Sequence, residues 1–185
     1  MIKLYGAARS RATIVRWYLE ELNLEYEEIN LDMQAGEHRQ PAYLEINPMG
    51  KVPAIVDGEL KLWESGAILL YLADKYGQPQ QTPAERAIAA QWVLFANATL
   101  GPGIFIEANR EREMPKLMGA LNGILSQQPY LTGEEFTVAD VAVGSYLSYI
   151  PLMLQLDLSG YPAVENYMKT IAARPAFQKA FANRG

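Results

Sequence analysis

What constrains this chain most is a change of hydropathic period near residue 76. Before it, short β-branched runs alternate with turn signals. After it, apolar residues recur at helical spacing over long segments. The succession predicts an α/β part followed by an all-α part. Ile2 to Tyr5 alternates like a strand, Ile14, Trp17, Tyr18 and Leu22 mark one face of a helix, and Tyr26 to Leu31 reads as a second strand. A helix between two strands is crossover enough for a parallel, right-handed βαβ unit. Pro53 to Val56 and Leu60 to Trp63 flank Asp57-Gly58-Glu59, where Asp-Gly supplies the positive φ of a tight hairpin. Ser65 then serves as N-cap for a helix running to about Tyr76, with Ile68, Leu69 and Leu72 as its apolar stripe and Gly77 in the left-handed closing position. The predicted order is β-α-β, a variable segment, β-β-α.

Gly77 to Pro83 is polar and proline-bounded, which suits a connector. The expected organisation is therefore residues 1–76, a linker at 77–83, and a helical domain at 84–185. In the second part, Ala84 to about Leu100, Met114 to Ser126, Val138 to Leu147 with a continuation, and Pro162 to Ala173 carry helical periodicity, and Pro175 opens a final short helix. Between Arg86 and Glu107 lie 20 uncharged residues, interrupted by Gln91, Asn97, Thr99 and Gly101-Pro102-Gly103, which reads as a buried core helix and not a membrane span. Thr137 and Asp140 form a capping box. Trp92, Phe95, Tyr146, Tyr149 and Met153 fall at helical spacings expected of core.

Charge and sulfur narrow the function. Sixteen basic against 21 acidic residues leave a net charge of −5 with no block of five like charges, so a phosphate backbone has little to hold and no nucleic acid partner is expected. With no cysteine, disulfide frameworks, thiolate metal sites, redox CxxC motifs and cysteine nucleophiles are all excluded, and any sulfur chemistry must use a sulfur from outside. A single histidine, His38, leaves no cluster for zinc, and no metal site is expected. The opening Met-Ile-Lys-Leu-Tyr alternates like a strand and lacks the basic-then-apolar leader pattern, so the expected compartment is the cytoplasm.

Four places can carry chemistry, each with a plain structural alternative. Glu64-Ser65 is a strand end and a cap, or a site where free helix amides and the Ser65 hydroxyl take a carboxylate while Glu64 takes the neighbouring ammonium. Val52 before Pro53 is the entry to a strand or, with Pro53 cis, an outward-turned edge on which an extended peptide can pair. Gly36-Glu37-His38-Arg39 is a solvated turn, or with Lys51 an anion clamp for a second carboxylate. Ser10, between Arg9 and Arg11 after the first strand, is an N-cap or a hydroxyl and cation group suited to a thiolate.

Taken together, Gly36-Glu37-His38-Arg39, Asn47-Pro48-Met49-Gly50-Lys51-Val52-Pro53 and Glu64-Ser65-Gly66-Ala67-Ile68 resemble the glutathione site of the cytosolic glutathione transferases, and the capping box matches the family's second domain. The Ser10 loop is similar to that of the phi class, although the helical phase slips by one residue after Thr13, and the short second domain is most like the compact bacterial chi class. The resemblance implies a thioredoxin-like N-terminal domain plus an all-α domain, glutathione as co-substrate with no permanently bound cofactor, and usually a homodimer with Met49 buried at its interface. It implies that His38, Arg39, Lys51, Val52, Pro53, Glu64 and Ser65 hold glutathione, and that Ser10 and Arg11 activate its thiol, with Arg9 and Tyr5 as further candidates. Arg9 and Phe105 are expected beside a small hydrophobic electrophile. Conjugation in detoxification is the expected function. The alternatives are a non-catalytic glutathione-binding interaction module and a glutathione-dependent peroxidase.

Overall fold

The computed structural model describes residues 1–77 and 82–182; positions 78–81 of the expected linker lie outside them. The chain divides into two compact units, Met1–Pro79 together with Pro175–Gly185, and Gln80–Arg174.

The first unit is built on a four-stranded sheet of order β2-β1-β3-β4, with β1 Ile2–Gly6, β2 Tyr26–Asn30, β3 Ala54–Asp57 and β4 Leu60–Trp63. β1 and β2 are parallel, as their helical crossover requires, and β3 pairs antiparallel to both β1 and β4. Helix α1 (Ala12–Glu21) is buried from Ala12 through Leu19 because it is packed by β1, by α3 (Ser65–Tyr76) and by the terminal helix Pro175–Ala182. Sequence order assigns that last helix to the helical domain. Its apolar face instead closes on α1, where Trp17 meets Phe177 and Phe181 edge-on, with ring centroids 4.9 and 6.0 Å away. Arg16, buried beside it, donates from Nε to Glu28 Oε2 at 3.0 Å and pairs through Nη2 with Glu28 Oε1, while Nη1 reaches the carbonyl of Ala180 at 3.1 Å. The ion pair is thereby satisfied on both sides, the condition under which a buried charge is tolerated.

The β3–β4 hairpin closes with Asp57 opposite Leu60 and Gly58 at φ +61°. Asp57 Oδ2 accepts hydrogen bonds from Tyr71 (2.7 Å), Lys75 (2.7 Å) and Tyr76 (2.6 Å) on α3. Burial opposes its ionisation, but the hydrogen bonds from Lys75, Tyr76 and Tyr71 prevail and hold its carboxyl at about 2. The hairpin tip is thus tied to the end of the helix that begins at the candidate site.

Two helix ends differ from expectation. Ser65 is the first helical residue rather than the cap; Glu64 occupies the cap position at φ +71° and makes no side-chain cap bond. Gly77 is extended at φ −75°, ψ −158°, and glycine suits it because a Cβ would stand 2.3 Å from the carbonyl oxygen of Ala73.

The second unit is helical. α4 (Pro83–Leu94) starts from a Thr82/Glu85 capping box. The predicted continuous helix to Leu100 is broken by a π-helical stretch, Phe95–Leu100, in which Asn97 Nδ2 donates to the carbonyl of Val93 (2.8 Å) and Asn97 Oδ1 accepts from the Tyr146 hydroxyl (3.1 Å). α5 (Gly101–Phe105), α6 (Glu107–Leu125), α7 (Val138–Met153) and α8 (Pro162–Ala172) follow, and the terminal helix of the first unit is α9. Helical residues Pro83–Phe105 are long and apolar enough to cross a bilayer, yet 39% of their most apolar window is buried in the protein. The expected core helix is buried on one face only, through Val93, Ala96, Leu100 and Ile104, with Ile88 and Leu94 exposed. Of the expected core residues, Tyr146 is buried, Trp92, Phe95 and Tyr149 are half-buried, and Met153 is 67% exposed because α7 ends there.

The core of this unit is α7, buried without interruption from Val138 to Ser148. At its start Asp140 reaches back to the Thr137 amide (2.8 Å), accepts from the Leu131 amide (2.9 Å) and from the Tyr167 hydroxyl (3.0 Å), and is wholly enclosed. Burial pushes its carboxyl upward, against the pull of those hydrogen bonds.

Candidate functional site

Three stretches of the first unit converge on one cleft of about 360 Å³: Arg11 at the head of α1, the loop Asn47 to Pro53, and Trp63-Glu64-Ser65 where β4 turns into α3. The loop is shaped by Asn47, which is 2% exposed. Its Oδ1 accepts from the Met49 amide (3.0 Å) and its Nδ2 donates to the Lys51 carbonyl (2.6 Å), which also accepts from the Tyr43 hydroxyl (2.6 Å). Burial pushes the Tyr43 phenol up to about 12, so it remains a donor at any physiological pH. Gly50 sits at φ +59°, and a Cβ there would come 3.0 Å from the His38 carbonyl; loop and 3₁₀ turn Glu37–Arg39 are in close approach.

The Val52–Pro53 peptide is cis. Neither the N–H nor the C=O of Val52 has a backbone partner among the described residues, since β3 pairs with β1 only from Ala54 onward. Val52 therefore offers a donor and an acceptor to an extended chain. Opposite, the first backbone bond of α3 runs from the Ile68 amide to the Glu64 carbonyl, leaving the amides of Ser65, Gly66 and Ala67 without carbonyl partners among the described residues. Ser65 is 3% exposed, lines the cleft, and its hydroxyl has no partner among the described residues. A buried hydroxyl at a positive helix end, beside an exposed Glu64 carboxylate, is complementary to a group bearing a carboxylate and an ammonium together. Arg11 and Lys51 add two cations around the same cleft.

Both halves of the chain match family models, the glutathione S-transferase N-terminal domain over residues 1–74 and the glutathione S-transferase C-terminal domain over residues 105–184. The chain belongs to the glutathione S-transferase family. The transferase is 35% identical to the disulfide-bond oxidoreductase YfcG of Escherichia coli, over 97% of this chain and 94% of that one, and 33% identical to the glutathione S-transferase GstB of the same species, over 97% of each. It is similar to the solved glutathione transferase URE2P6 of Phanerochaete chrysosporium in complex with oxidized glutathione, with a TM-score of 0.85 and 31% identity over 99% of this chain and 96% of that one. As a family member the transferase is an enzyme, and conjugation to glutathione is the reaction its fold supports.

Of the residues singled out from the transferase's sequence, Arg11, Lys51, Val52, Pro53, Glu64 and Ser65 line the cleft together. His38 and Arg39 do not; they lie on the neighbouring 3₁₀ turn, with Arg39 Nε donating to His38 Nε2 at 3.1 Å and His38 Nδ1 sealed from solvent without a partner. Ser10 is also absent from the lining. Its hydroxyl oxygen accepts from the amides of Ala7 (3.3 Å) and Ala12 (3.2 Å), so both acceptor positions are used and its own hydrogen is what remains to give. Arg9 lines a different hollow, and Phe105 belongs to the second unit. Tyr5 is on β1 against Tyr43, ring centroids 5.7 Å apart. Sequence reasoning missed Asn47 and Trp63 as cleft residues. Asn47 entered only as the first residue of the Asn47-to-Pro53 motif, with no role of its own, and Trp63 only as the end of a strand; nothing in their spacing marks either as a cleft wall.

Proposed function

We propose that the protein conjugates the glutathione thiolate to small hydrophobic electrophiles, as a cytoplasmic homodimer of the detoxifying type. The observation that carries this reading is the unpartnered, buried Ser65 hydroxyl facing the unpaired Val52 backbone across one cleft. Glutathione lies extended between them. Its γ-glutamyl carboxylate sits on Ser65 and the α3 amides, its ammonium near Glu64, its cysteinyl backbone on Val52, and its glycyl carboxylate toward Lys51, His38 and Arg39.

The sulfur then points toward the head of α1. A thiol of pKa about 8.5 is only about 3% ionised at pH 7, and lowering it by about two units gives roughly 75% thiolate. Ser10 is suited to that task because the two amides it accepts from leave its O–H as a donor. Arg11, in the cleft, supplies the charge. Ser10→Ala and Arg11→Ala are each expected to cut kcat/KM with an aryl halide about 10- to 100-fold, and to move the acid limb of the pH–rate profile upward by about one unit. Stopped-flow conjugation across pH 5.5–9 checks this; an unchanged profile removes that residue from thiol activation.

A second reading draws on the relative named as a disulfide-bond oxidoreductase. With no cysteine in the chain, two glutathione molecules would supply both reducing thiols, converting one substrate disulfide into two thiols and leaving glutathione disulfide. Hydroxyethyl disulfide reduction, measured beside conjugation, separates the two.

The dimer rests on Met49, 59% exposed at the tip of the cleft loop. An apolar side chain presented there suits insertion into a second copy. Sedimentation velocity should give a dimer, and Met49→Asp should shift it toward monomer; a monomeric parent protein contradicts the assignment.

A further inference from the structure

The first unit holds a hollow larger than the cleft. It measures about 590 Å³ and opens at the carboxyl ends of the parallel strands β1 and β2, beside the first turns of α1, sharing no lining residue with the cleft. Carboxyl ends of parallel strands are where open α/β sheets hold ligands, and the volume is within the range of small-molecule sites. Its charged lining is balanced: Arg9 and Arg16 against Glu28 and Asp32. Arg16 and Glu28 neutralise each other, with both Glu28 oxygens engaged. Arg9 and Asp32 do not pair with each other or with any other charge among the described residues. Asp32 Oδ1 is taken by the amides of Gln34 (2.8 Å) and Ala35 (2.9 Å), which leaves Oδ2 open.

The second observation is Thr13. Only 4% exposed, it lines the hollow with a hydroxyl that makes no hydrogen bond to any described residue, neither to the preceding helical turn nor to a neighbouring side chain. The residue is enclosed but its hydroxyl opens on the hollow, so a molecule bound there is what can partner it. The exposed Asn30 carboxamide on the same wall makes no hydrogen bond to a described residue. A bare anion would face two carboxylates here, and a bare cation would face the Arg9 guanidinium. Unpaired charges of both signs on one wall, with a neutral donor–acceptor between, fit a ligand that carries both.

We propose that this hollow is a second binding site, specific for an α-amino-acid group, with its carboxylate on Arg9 and the Thr13 hydroxyl and its ammonium on Asp32 and the Asn30 carbonyl oxygen. Free amino acids and the γ-glutamyl end of a peptide share that chemistry.

Backbone and side-chain amide NMR of the full chain tests it, with L-glutamine, γ-glutamylcysteine, acetate and methylamine as probes. Saturable shifts at Ala8, Thr13 and the Asn30 amide are expected, with a Kd on the order of 1 mM for whichever source fits. Response to L-glutamine assigns the site to free amino acids; response to γ-glutamylcysteine alone assigns it to peptide ends. Thr13→Val and Asp32→Asn should each weaken those shifts about tenfold. The shifts at Val52, Trp63 and Ser65 report the cleft separately, so failure of one site is distinguishable from failure of the other. Should either variant misfold, the wild-type comparison still decides: acetate or methylamine alone matching the zwitterion, or no saturable shift in the hollow, overturns the proposal.

Discussion

Ser65→Ala is expected to weaken glutathione binding by roughly 10- to 150-fold in isothermal titration, the equivalent of the about 1.5–3 kcal/mol that a hydrogen bond to a charged group contributes. The size of the effect comes from the site's enclosure. Ser65 is buried, so its hydroxyl competes little with water for the γ-glutamyl carboxylate, and the amides of the α3 first turn reinforce it without replacing it. The fold should not feel the change. The hydroxyl has no partner among the described residues, so its removal leaves nothing unsatisfied, and the denaturation midpoint should stay where it is. Glu64→Gln makes the useful contrast. Its side chain is exposed, and losing an exposed charge pair with the ammonium costs about 1 kcal/mol or less, around fivefold at most. A glutathione analogue lacking the γ-glutamyl carboxylate completes a double-mutant cycle: it should bind the parent and Ser65→Ala alike. Equal glutathione affinity in the parent and Ser65→Ala would displace the carboxylate from this helix end, and with it the whole seating of the peptide.

Why the sequence revealed the cleft but not its full lining follows from what periodicity encodes. The βαβ and ββα order was legible because strand alternation, an amphipathic α1 and an Asp-Gly turn are local signals, each supported by the others. Glu64 and Ser65 stood out because a charged strand end followed by a small hydroxyl residue is a local pattern as well. Their exchange of roles at the helix start was not legible, because φ +71° at a glutamate contradicts local preference. The docking of α9 on α1 is a contact between residues more than 150 positions apart, as in the Lys179–Glu20 ion pair at 2.6 Å, and no local period reports it. The surroundings of Arg9 were not legible for the same reason. Its neighbours in sequence point to Ser10 and Arg11, whereas its neighbours in space are Asn30 and Asp32 from β2 and the residues just after it.

Asp140→Ala should destabilise the protein by about 3–5 kcal/mol. One carboxylate satisfies the amides of Leu131 and Thr137 and the Tyr167 hydroxyl, in a place with no exposure. Alanine leaves the buried Leu131 amide and the part-buried Thr137 amide without an acceptor, each costing about 1–3 kcal/mol, and leaves the Tyr167 hydroxyl only its longer 3.4 Å bond to the residue 140 carbonyl; partial collapse or an inserted water limits the sum. Asp140→Asn should recover part of this loss but not all. Its carbonyl can serve one amide, while its NH₂ is presented where another donor already points. The pH dependence separates charge from shape. Burial raises the folded carboxyl above its unfolded value of about 3.9, so its contribution is fully present below that value and declines as pH rises through the folded one. In urea titrations from pH 3.5 to 7.5, the parent protein should therefore lose stability relative to Asp140→Asn as pH increases. A difference that grows in the opposite sense would mean that the hydrogen bonds outweigh burial and that Asp140 is held ionised by its cap.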